Sequence, residues 1–156
     1  MDERLYFPLF VDLTGKRILV IGAGTVARRR IAALLPFGAR ITVVAPEASP
    51  EVEELAREGR LLWLPRAVQE EDLDGADLVL AAAGDTAVDA QTAAWCRKRH
   101  IPVNTASDRS LCDFYFPGVA RRGSIVVGVT ASGTDHKAAR RVSEAVRELL
   151  DREKEC

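Results

Sequence analysis

Short apolar runs alternate with amphipathic stretches along most of the chain. Runs rich in β-branched residues predict buried strands at 17–21, 40–44, 61–64, 77–81, 101–104 and 125–129. The longer runs are nearly continuous in apolar residues, which is typical of parallel strands covered by helices on both faces. The pattern therefore predicts a layered α/β fold.

Helical spacing fills the intervals between these runs. The first helix is predicted over 26–35, and Ser49, Pro50 and Gly59 delimit a second by their N-cap, first-turn and C-terminal preferences. A third helix is expected over about 85–99. The last is expected over about 135–153. Strand-helix-strand alternation with short connections predicts a doubly wound parallel sheet.

Two of these helices carry apolar residues at helical spacing. In the third helix, Val88, Ala94 and Trp95 are available for one face. In the last helix, the available residues include Val142 and Leu149. Such spacing predicts one buried face on each helix.

A glycine-rich segment joins the first predicted strand to the first predicted helix. Its sequence, Gly22-Ala23-Gly24-Thr25-Val26-Ala27, has the GxGxxA spacing of Rossmann dinucleotide sites. Gly22 permits the tight turn, and Gly24 lets the backbone approach a pyrophosphate. The amides and dipole of the helix start attract the phosphates. This placement indicates nucleotide binding, with a purely structural turn as the alternative.

The second strand ends without the acidic residue that usually meets the NAD ribose. The chain continues through Pro46 and Glu47, which are the candidates for that contact. No Arg stands there to receive a 2′-phosphate, which favours NAD over NADP. After the strand at 77–81, Ala83 and Gly84 leave room for a cofactor or substrate. For Ala81 alone, tight packing against a helix is the alternative explanation.

The composition changes near residue 114. Residues 1–113 are expected to form the dinucleotide-binding domain. Residues 114–156 are expected to contain a basic turn at Arg121-Arg122-Gly123, one strand and one long helix. That segment is too small to be an independent domain, so we expect it to dock onto another surface, such as that of a second copy of the chain.

Charge and cysteine content exclude several classes of protein. The net charge of −1 provides no general attraction for nucleic acid. Cys96, Cys112 and Cys156 form no CxxC pair, which favours free thiols over a zinc site or disulfide framework. The charged start at 1–4 is unlike a signal peptide, and no apolar run approaches the length of a spanning helix. We expect a cytoplasmic protein without membrane or metal binding.

Three further stretches carry a recognisable pattern. These are 6–16 (YFPLFVDLTGK), 43–50 (VVAPEASP) and 104–123, which holds Leu111-Cys112-Asp113-Phe114, Phe116-Pro117 and Arg121-Arg122-Gly123. In order and spacing they resemble the precorrin-2 dehydrogenase domain of siroheme synthases, from Tyr6 to about Arg141. The resemblance implies NAD-dependent oxidation of precorrin-2, a carboxylate-rich tetrapyrrole, to sirohydrochlorin, with hydride transfer to NAD and proton release. It also implies a homodimer that associates through the region after the Rossmann part.

The resemblance also implies an acid-base aspartate three positions after Asn104. This chain has Ser107 there and Asp108 next. We expect Asp108 to act as the general base with Ser107 as a hydrogen-bonding helper. A turn cap on Ser110 is the alternative role for Asp108.

Other departures and charges bear on the substrate. Asp135 and His136 replace the Ser-Pro that relatives tend to have, so the chemistry of that loop is open. Carboxylates of the substrate need cationic partners, and Arg forks hold carboxylates well. The candidate substrate-binding residues are Arg121, Arg122, Lys137, Arg140 and Arg141.

Two alternative functions remain at this point. Some relatives also insert ferrous iron, so a bifunctional dehydrogenase and ferrochelatase is possible on sequence grounds. Siroheme synthases continue into a further helical segment that this chain largely lacks, which favours dehydrogenation alone. A non-catalytic NAD-sensing module would explain the glycine loop but not the three stretches that resemble the family.

Overall fold

The computed structural model describes residues 5–153, which form two compact units. The first unit spans residues 11–114, and the second combines residues 5–10 with 115–153. Cys156 and the residues at 1–4, about which the sequence makes predictions, lie outside the described residues.

The first unit contains a five-stranded parallel sheet. Its strands are β1 (Arg17–Ile21), β2 (Arg40–Val44), β3 (Leu62–Leu64), β4 (Leu78–Ala81) and β5 (Val103–Thr105). Their spatial order is β3-β2-β1-β4-β5, so the order reverses between β1 and β4. This confirms the predicted doubly wound Rossmann-like sheet.

Three helices of the first unit alternate with the strands. They are α1 (Thr25–Leu34), α2 (Pro50–Arg57) and α3 (Thr86–Arg99). Ser49 caps α2 by accepting a hydrogen bond from the Val52 amide at 3.4 Å, as its position predicts. Short 3₁₀ turns at Leu35–Phe37, Glu70–Leu73 and Arg109–Leu111 complete the unit.

The strand register brings four loops to one edge of the sheet. Ile21 pairs with Val44 on one side and with Ala81 on the other, and Ala81 pairs with Thr105. The loops that begin after these residues therefore lie side by side at the carboxyl edge. In open α/β sheets this edge is where ligands bind.

The core of the first unit is built from the strands and the helix face that covers them. A buried cluster combines strand residues such as Ile21 and Val79 with Ala93 and Cys96 of α3. Burial raises the pKa of the Cys96 thiol to about 12, so this cysteine is an inert core residue. Cys96 and Cys112 are both free thiols, as predicted.

The second unit consists of a hairpin and a long helix. Strands β6 (Gly118–Arg122) and β7 (Ile125–Val129) pair antiparallel, and α4 spans His136–Arg152. A side chain at Gly118 would lie 2.8 Å from Ser143 Oγ, so glycine allows α4 to pack closely on β6. The rings of Tyr6 and Tyr115 also meet in this unit, with centroids 5.1 Å apart.

The prediction for this hairpin was partly wrong. Arg121 and Arg122 belong to strand β6, and the turn lies beyond them, where Gly123 has a φ of +55°. The β7 strand and the long α4 helix match their predicted positions within about one residue. Among residues 5–153, the helices lack the combination of length and apolar character that crossing a membrane requires.

Candidate functional site

A cavity of about 880 Å³ opens at the carboxyl edge of the first unit's sheet. Its walls come from the glycine loop, the segment after β2, the loop after β4 and one face of α3. This volume lies within the range of small-molecule and cofactor sites. The cavity also lies where the strand order reverses, which is the expected dinucleotide position.

The glycine loop forms the floor of this cavity. Gly22 has a φ of +104°, and its amide donates to the Val44 carbonyl at 3.0 Å. Gly24 is the N-cap of α1, where it has no side chain to occupy the helix end. The first amides of a helix have no partner inside it, so they and the helix dipole are available to an anion.

Gly24 provides a direct test of whether a dinucleotide fits. Its φ of −85° is open to other residues, and a Cβ there would meet no atom of residues 5–153 within 4 Å. Neither the backbone nor the packing of the chain therefore requires glycine at this position. Close approach of a pyrophosphate to the backbone would require it. The residues present thus fit a dinucleotide.

The segment after β2 forms one side of the cavity. Pro46 and Glu47 both line it, and both are exposed. The Ser49 amide donates to the Ala23 carbonyl at 3.1 Å, which fixes this segment against the glycine loop. A carboxylate at Glu47 is able to accept hydrogen bonds from ribose hydroxyls.

The opposite side of the cavity contains residues that sequence reasoning did not assign to the site. Val68, Asp85, Val88, Gln91 and Trp95 all line it. Asp85 also caps α3 by accepting from the Ala87 amide at 2.9 Å. The cap pattern of Asp85 is visible in the sequence, whereas the exposure of Trp95 to a cavity has no local sequence signal.

Most of the predicted cofactor residues meet in this cavity. The loop residues Gly22, Ala23, Gly24 and Thr25, together with Pro46, Glu47 and Ala83, line it. Val26 and Gly84 are outside the lining: Val26 is 45% exposed on α1, and Gly84 has a φ of +73° in the loop after β4.

The loop after β5 contains the two predicted catalytic residues. Asp108 Oδ1 accepts a hydrogen bond from the Ser110 amide at 2.8 Å, which makes Asp108 the cap of a short 3₁₀ turn. Its hydrogen bonds with Ser110 lower the pKa of the exposed Asp108 carboxyl. The Ser107 hydroxyl instead donates to Asp89 Oδ2 at 2.8 Å.

Neighbouring side chains hold this loop in place. Thr105 Oγ1 donates to the Asp108 carbonyl at 2.6 Å, and the Thr105 amide donates to Cys112 Sγ at 3.2 Å. The Asn104 side-chain amide donates to the Phe114 carbonyl at 2.8 Å. The loop is therefore tied to the chain segment that follows it.

The predicted substrate-binding residues all belong to the second unit. The Arg122 guanidinium donates to the Leu150 carbonyl, and Arg140 pairs with Glu144 at 3.0 Å. Lys137 and Arg141 are exposed and lie four residues apart on α4, so they share a face. Arg121 is exposed on β6, where it donates to the Gly123 carbonyl at 3.4 Å.

The altered loop before α4 has a structural role. Asp135 is the N-cap of α4 and accepts from the Ala138 amide at 2.8 Å. His136 is exposed in the first turn. The position of Asp135 therefore has a physical reason that involves no substrate.

Comparison with known proteins supports a nucleotide site in this cavity, because the chain matches an NAD(P)-binding family. Residues 9–118 match the model of a protein family described as "Putative NAD(P)-binding". Siroheme synthase 1 of Serratia proteamaculans is 39% identical over 93% of the chain, and a siroheme synthase of Neisseria meningitidis is 38% identical over 93%. The chain spans about 30% of the length of each of these relatives.

One solved structure matches this chain over a larger share of its own length than the siroheme synthases do. The structure described as "SirC, precorrin-2 dehydrogenase" is 30% identical, with a TM-score of 0.77. The match covers 94% of this chain and 74% of that one.

Proposed function

We propose that this chain, which belongs to the family described as putative NAD(P)-binding and is 30% identical to a precorrin-2 dehydrogenase of known structure, oxidises precorrin-2 to sirohydrochlorin with NAD as hydride acceptor. The observation that carries this proposal is Gly24, a glycine that only a ligand close to the backbone requires. It lies in a cavity of suitable size at the switch point of the sheet.

The residues of the cavity divide the work of holding the dinucleotide. The first-turn amides of α1 bind the pyrophosphate, and Gly24 allows the approach. Glu47 accepts hydrogen bonds from the ribose hydroxyls and disfavours a 2′-phosphate by like charge. When bound, NAD provides the oxidising power of the reaction.

Apolar side chains on the α3 side of the cavity exclude water from the bound ring systems. Val88 and Trp95 are half-buried on this side, and Val68 lies with them in the lining. Exclusion of water strengthens the electrostatic interactions within a site.

The carboxylates of the substrate require cationic partners, and the candidate residues lie on β6 and α4. Among the candidates, Lys137 and Arg141 are exposed on one face of α4, and Arg121 is exposed on β6. Arg140 is also exposed, with a flexible surface ion pair that costs little to break. Arg122 is already engaged by the end of α4, so we assign it a structural role in place of substrate binding.

We also propose that the chain forms a homodimer through the second unit. Several large apolar side chains of this unit are exposed, among them Phe7, Ile125, Val142 and Leu149. Val142 and Leu149 belong to the apolar face predicted for α4, so the described residues of one chain leave part of that face uncovered. Light scattering on the purified protein tests whether the particle has the mass of two chains.

Free thiols and a nicotinamide cofactor are typical of a reducing compartment, so the proposed location is the cytoplasm.

An anaerobic assay tests the proposed reaction. Purified protein is mixed with precorrin-2 and NAD, and absorbance follows NADH and sirohydrochlorin together. We expect both to form at a rate that depends on protein concentration. Binding of NAD without any turnover would favour a sensing role instead.

A further inference from the structure

A buried carboxylate lies directly behind the Ser107 hydroxyl. Asp89 of α3 is only 1% exposed, and its Oδ2 accepts the Ser107 hydrogen bond at 2.8 Å. Its Oδ1 accepts from the Ala83 amide at 3.0 Å. Ser107 itself is exposed. One carboxylate therefore joins the loop that lines the cavity to the loop that carries the predicted catalytic residues.

Burial of this carboxylate is unfavourable for folding alone. A carboxyl group in the interior loses its hydration, and hydrogen bonds offset that loss only in part. The neighbouring buried positions of the same helix face hold Thr92, Ala93 and Cys96, which carry no charge in the interior. Asp89 is thus the carboxylate on this helix face, and its two hydrogen bonds direct it to the Ala83 amide and the Ser107 hydroxyl.

The alternative base, Asp108, is less suited to accept a proton. Its Oδ1 is already occupied by the Ser110 amide, and those hydrogen bonds lower its pKa. A general base works best when its pKa is close to the pH of the reaction. The lowered pKa of the Asp108 carboxyl group lies further from that pH than the pKa of an ordinary aspartate does.

We propose that Ser107 and Asp89 form the proton-transfer pair of the dehydrogenation. This inference rests on the dehydrogenase function proposed above. As a hydride leaves a substrate carbon for NAD, a substrate C–H or N–H bond breaks and its proton passes to Ser107 Oγ. The electrons of that bond stay in the tetrapyrrole as the new double bond. The original Ser107 hydroxyl proton passes to Asp89 Oδ2, and solvent later removes it by the reverse path.

The two residues have different roles in this step. Ser107 contacts the substrate and is the catalytic residue. Asp89 acts through Ser107, so it is a positioning residue that also receives the proton. The family resemblance implies a carboxylate at position 107, and here the carboxylate is one hydrogen bond away. The pair therefore keeps a carboxylate in the same chain of contacts.

Substitution by an isosteric amide separates proton transfer from structure. In Asp89→Asn, the amide oxygen still accepts from Ala83, and the amide nitrogen still reaches Ser107 Oγ. We expect kcat to fall about 100-fold, with KM for precorrin-2, NAD affinity and melting temperature nearly unchanged. Ser107→Ala should show a similar fall, and the double variant Asp89→Asn/Ser107→Ala should lose little more because the residues act as one unit.

A double variant that moves the carboxylate from position 89 to position 107 provides the sharpest test. Asp89→Asn/Ser107→Asp restores one carboxylate and one hydrogen-bonded partner, in reversed positions. We expect this variant to recover kcat to within about 10-fold of the wild type. The matched control is Asp74→Asn, which removes an exposed carboxylate that is outside the cavity lining and pairs with Arg99.

The outcomes separate this inference from the proposed function. Wild-type turnover with Asp89→Asn as active as Asp74→Asn would overturn the pair alone. Loss of activity in Asp108→Asn while Asp89→Asn retains it would also overturn the pair, in favour of Asp108. A wild-type protein that binds NAD and melts cooperatively but produces no NADH would overturn the proposed function and the pair with it.

Discussion

Gly22 lies against Ala82 so closely that its α-carbon has no room for a side chain. A Cβ there would overlap the Ala82 carbonyl group and lie 2.9 Å from the Ala83 Cα. The contact joins the glycine loop to the loop after β4. The fold therefore requires glycine at position 22, whereas a Cβ at Gly24, two residues on, would meet open space, and we propose that the dinucleotide approaches the backbone there.

Gly22→Ala should destabilise the folded protein by at least about 2 kcal/mol, because strain at positive φ adds to the backbone overlap. Urea unfolding measures the loss. Gly59→Ala is the matched control, since Gly59 has a φ of +72° and open space around its α-carbon. Equal stability losses in the two variants would contradict the claim of overlap.

Gly24→Ala should have the opposite signature. The free energy of unfolding is expected to change by less than about 1 kcal/mol, since the only structural cost is a poorer N-cap. The Kd for NAD is expected to rise at least about 10-fold, because the new methyl group obstructs the pyrophosphate. Quenching of Trp95 fluorescence in a background lacking Trp63 reports NAD binding. Unchanged affinity would show that Gly24 is far from the phosphates.

Glu47→Gln should weaken the binding of NAD and reduce the preference of the protein for NAD over NADP. A hydrogen bond to a charged group contributes about 1.5–3 kcal/mol, so we expect the NAD Kd to rise about 10- to 100-fold. The NADP Kd should fall or stay constant because the repulsion of a 2′-phosphate is removed. Titration with both cofactors measures this, with Glu53→Gln, an exposed position on α2, as the control. A parallel change for both cofactors would contradict ribose recognition by Glu47.

Asp72→Asn should reduce stability in a pH-dependent manner. The Asp72 carboxylate accepts two hydrogen bonds from Arg66, at 2.6 and 2.8 Å, and these lower its pKa. A lowered folded-state pKa stabilises the fold above the ordinary Asp pKa, and that stability is lost as the pH falls through the lowered pKa.

The expected loss at neutral pH is about 1–3 kcal/mol. The gap between variant and wild type should shrink as the pH falls below about 4, where Asp72 of the unfolded wild-type chain takes up a proton, and it should close as the pH falls through the lowered folded-state pKa. Urea unfolding between pH 7 and pH 3 measures the gap. Asp151→Asn, at an exposed position on α4, should show little change at any pH. A gap independent of pH would mean that charge plays no part.

Local sequence patterns predict much of this fold because the strands and caps are local. The apolar runs at 17–21 and 40–44 coincide with β1 and β2, and Ser49 caps α2 as its neighbours predict. The strand β6 escaped prediction because its basic pair resembles a turn, and pairing with β7 stabilises it. On α3, Ala94 is exposed, and the buried face includes the polar Asp89 and Thr92 instead.

In the candidate site, too, local patterns are predictable from sequence and contacts between distant residues are not. The glycine loop is recognisable from its spacing, and the cavity forms around it. Asp89 and Ser107 are 18 residues apart in sequence, and parallel strand pairing brings their elements together. A polar residue on an apolar helix face has no meaning in sequence until its partner is known. Contacts of this kind require the three-dimensional structure.

The most direct test of the proposed NAD-dependent dehydrogenation is the stoichiometry of the anaerobic reaction with precorrin-2 and NAD. We expect one NADH for each sirohydrochlorin formed, with rates that fall in Gly24→Ala as its NAD affinity falls. NADH and sirohydrochlorin formed in a one-to-one ratio would establish an NAD-dependent dehydrogenase. A folded protein that binds NAD and yields neither product, or yields sirohydrochlorin without NADH, would contradict it.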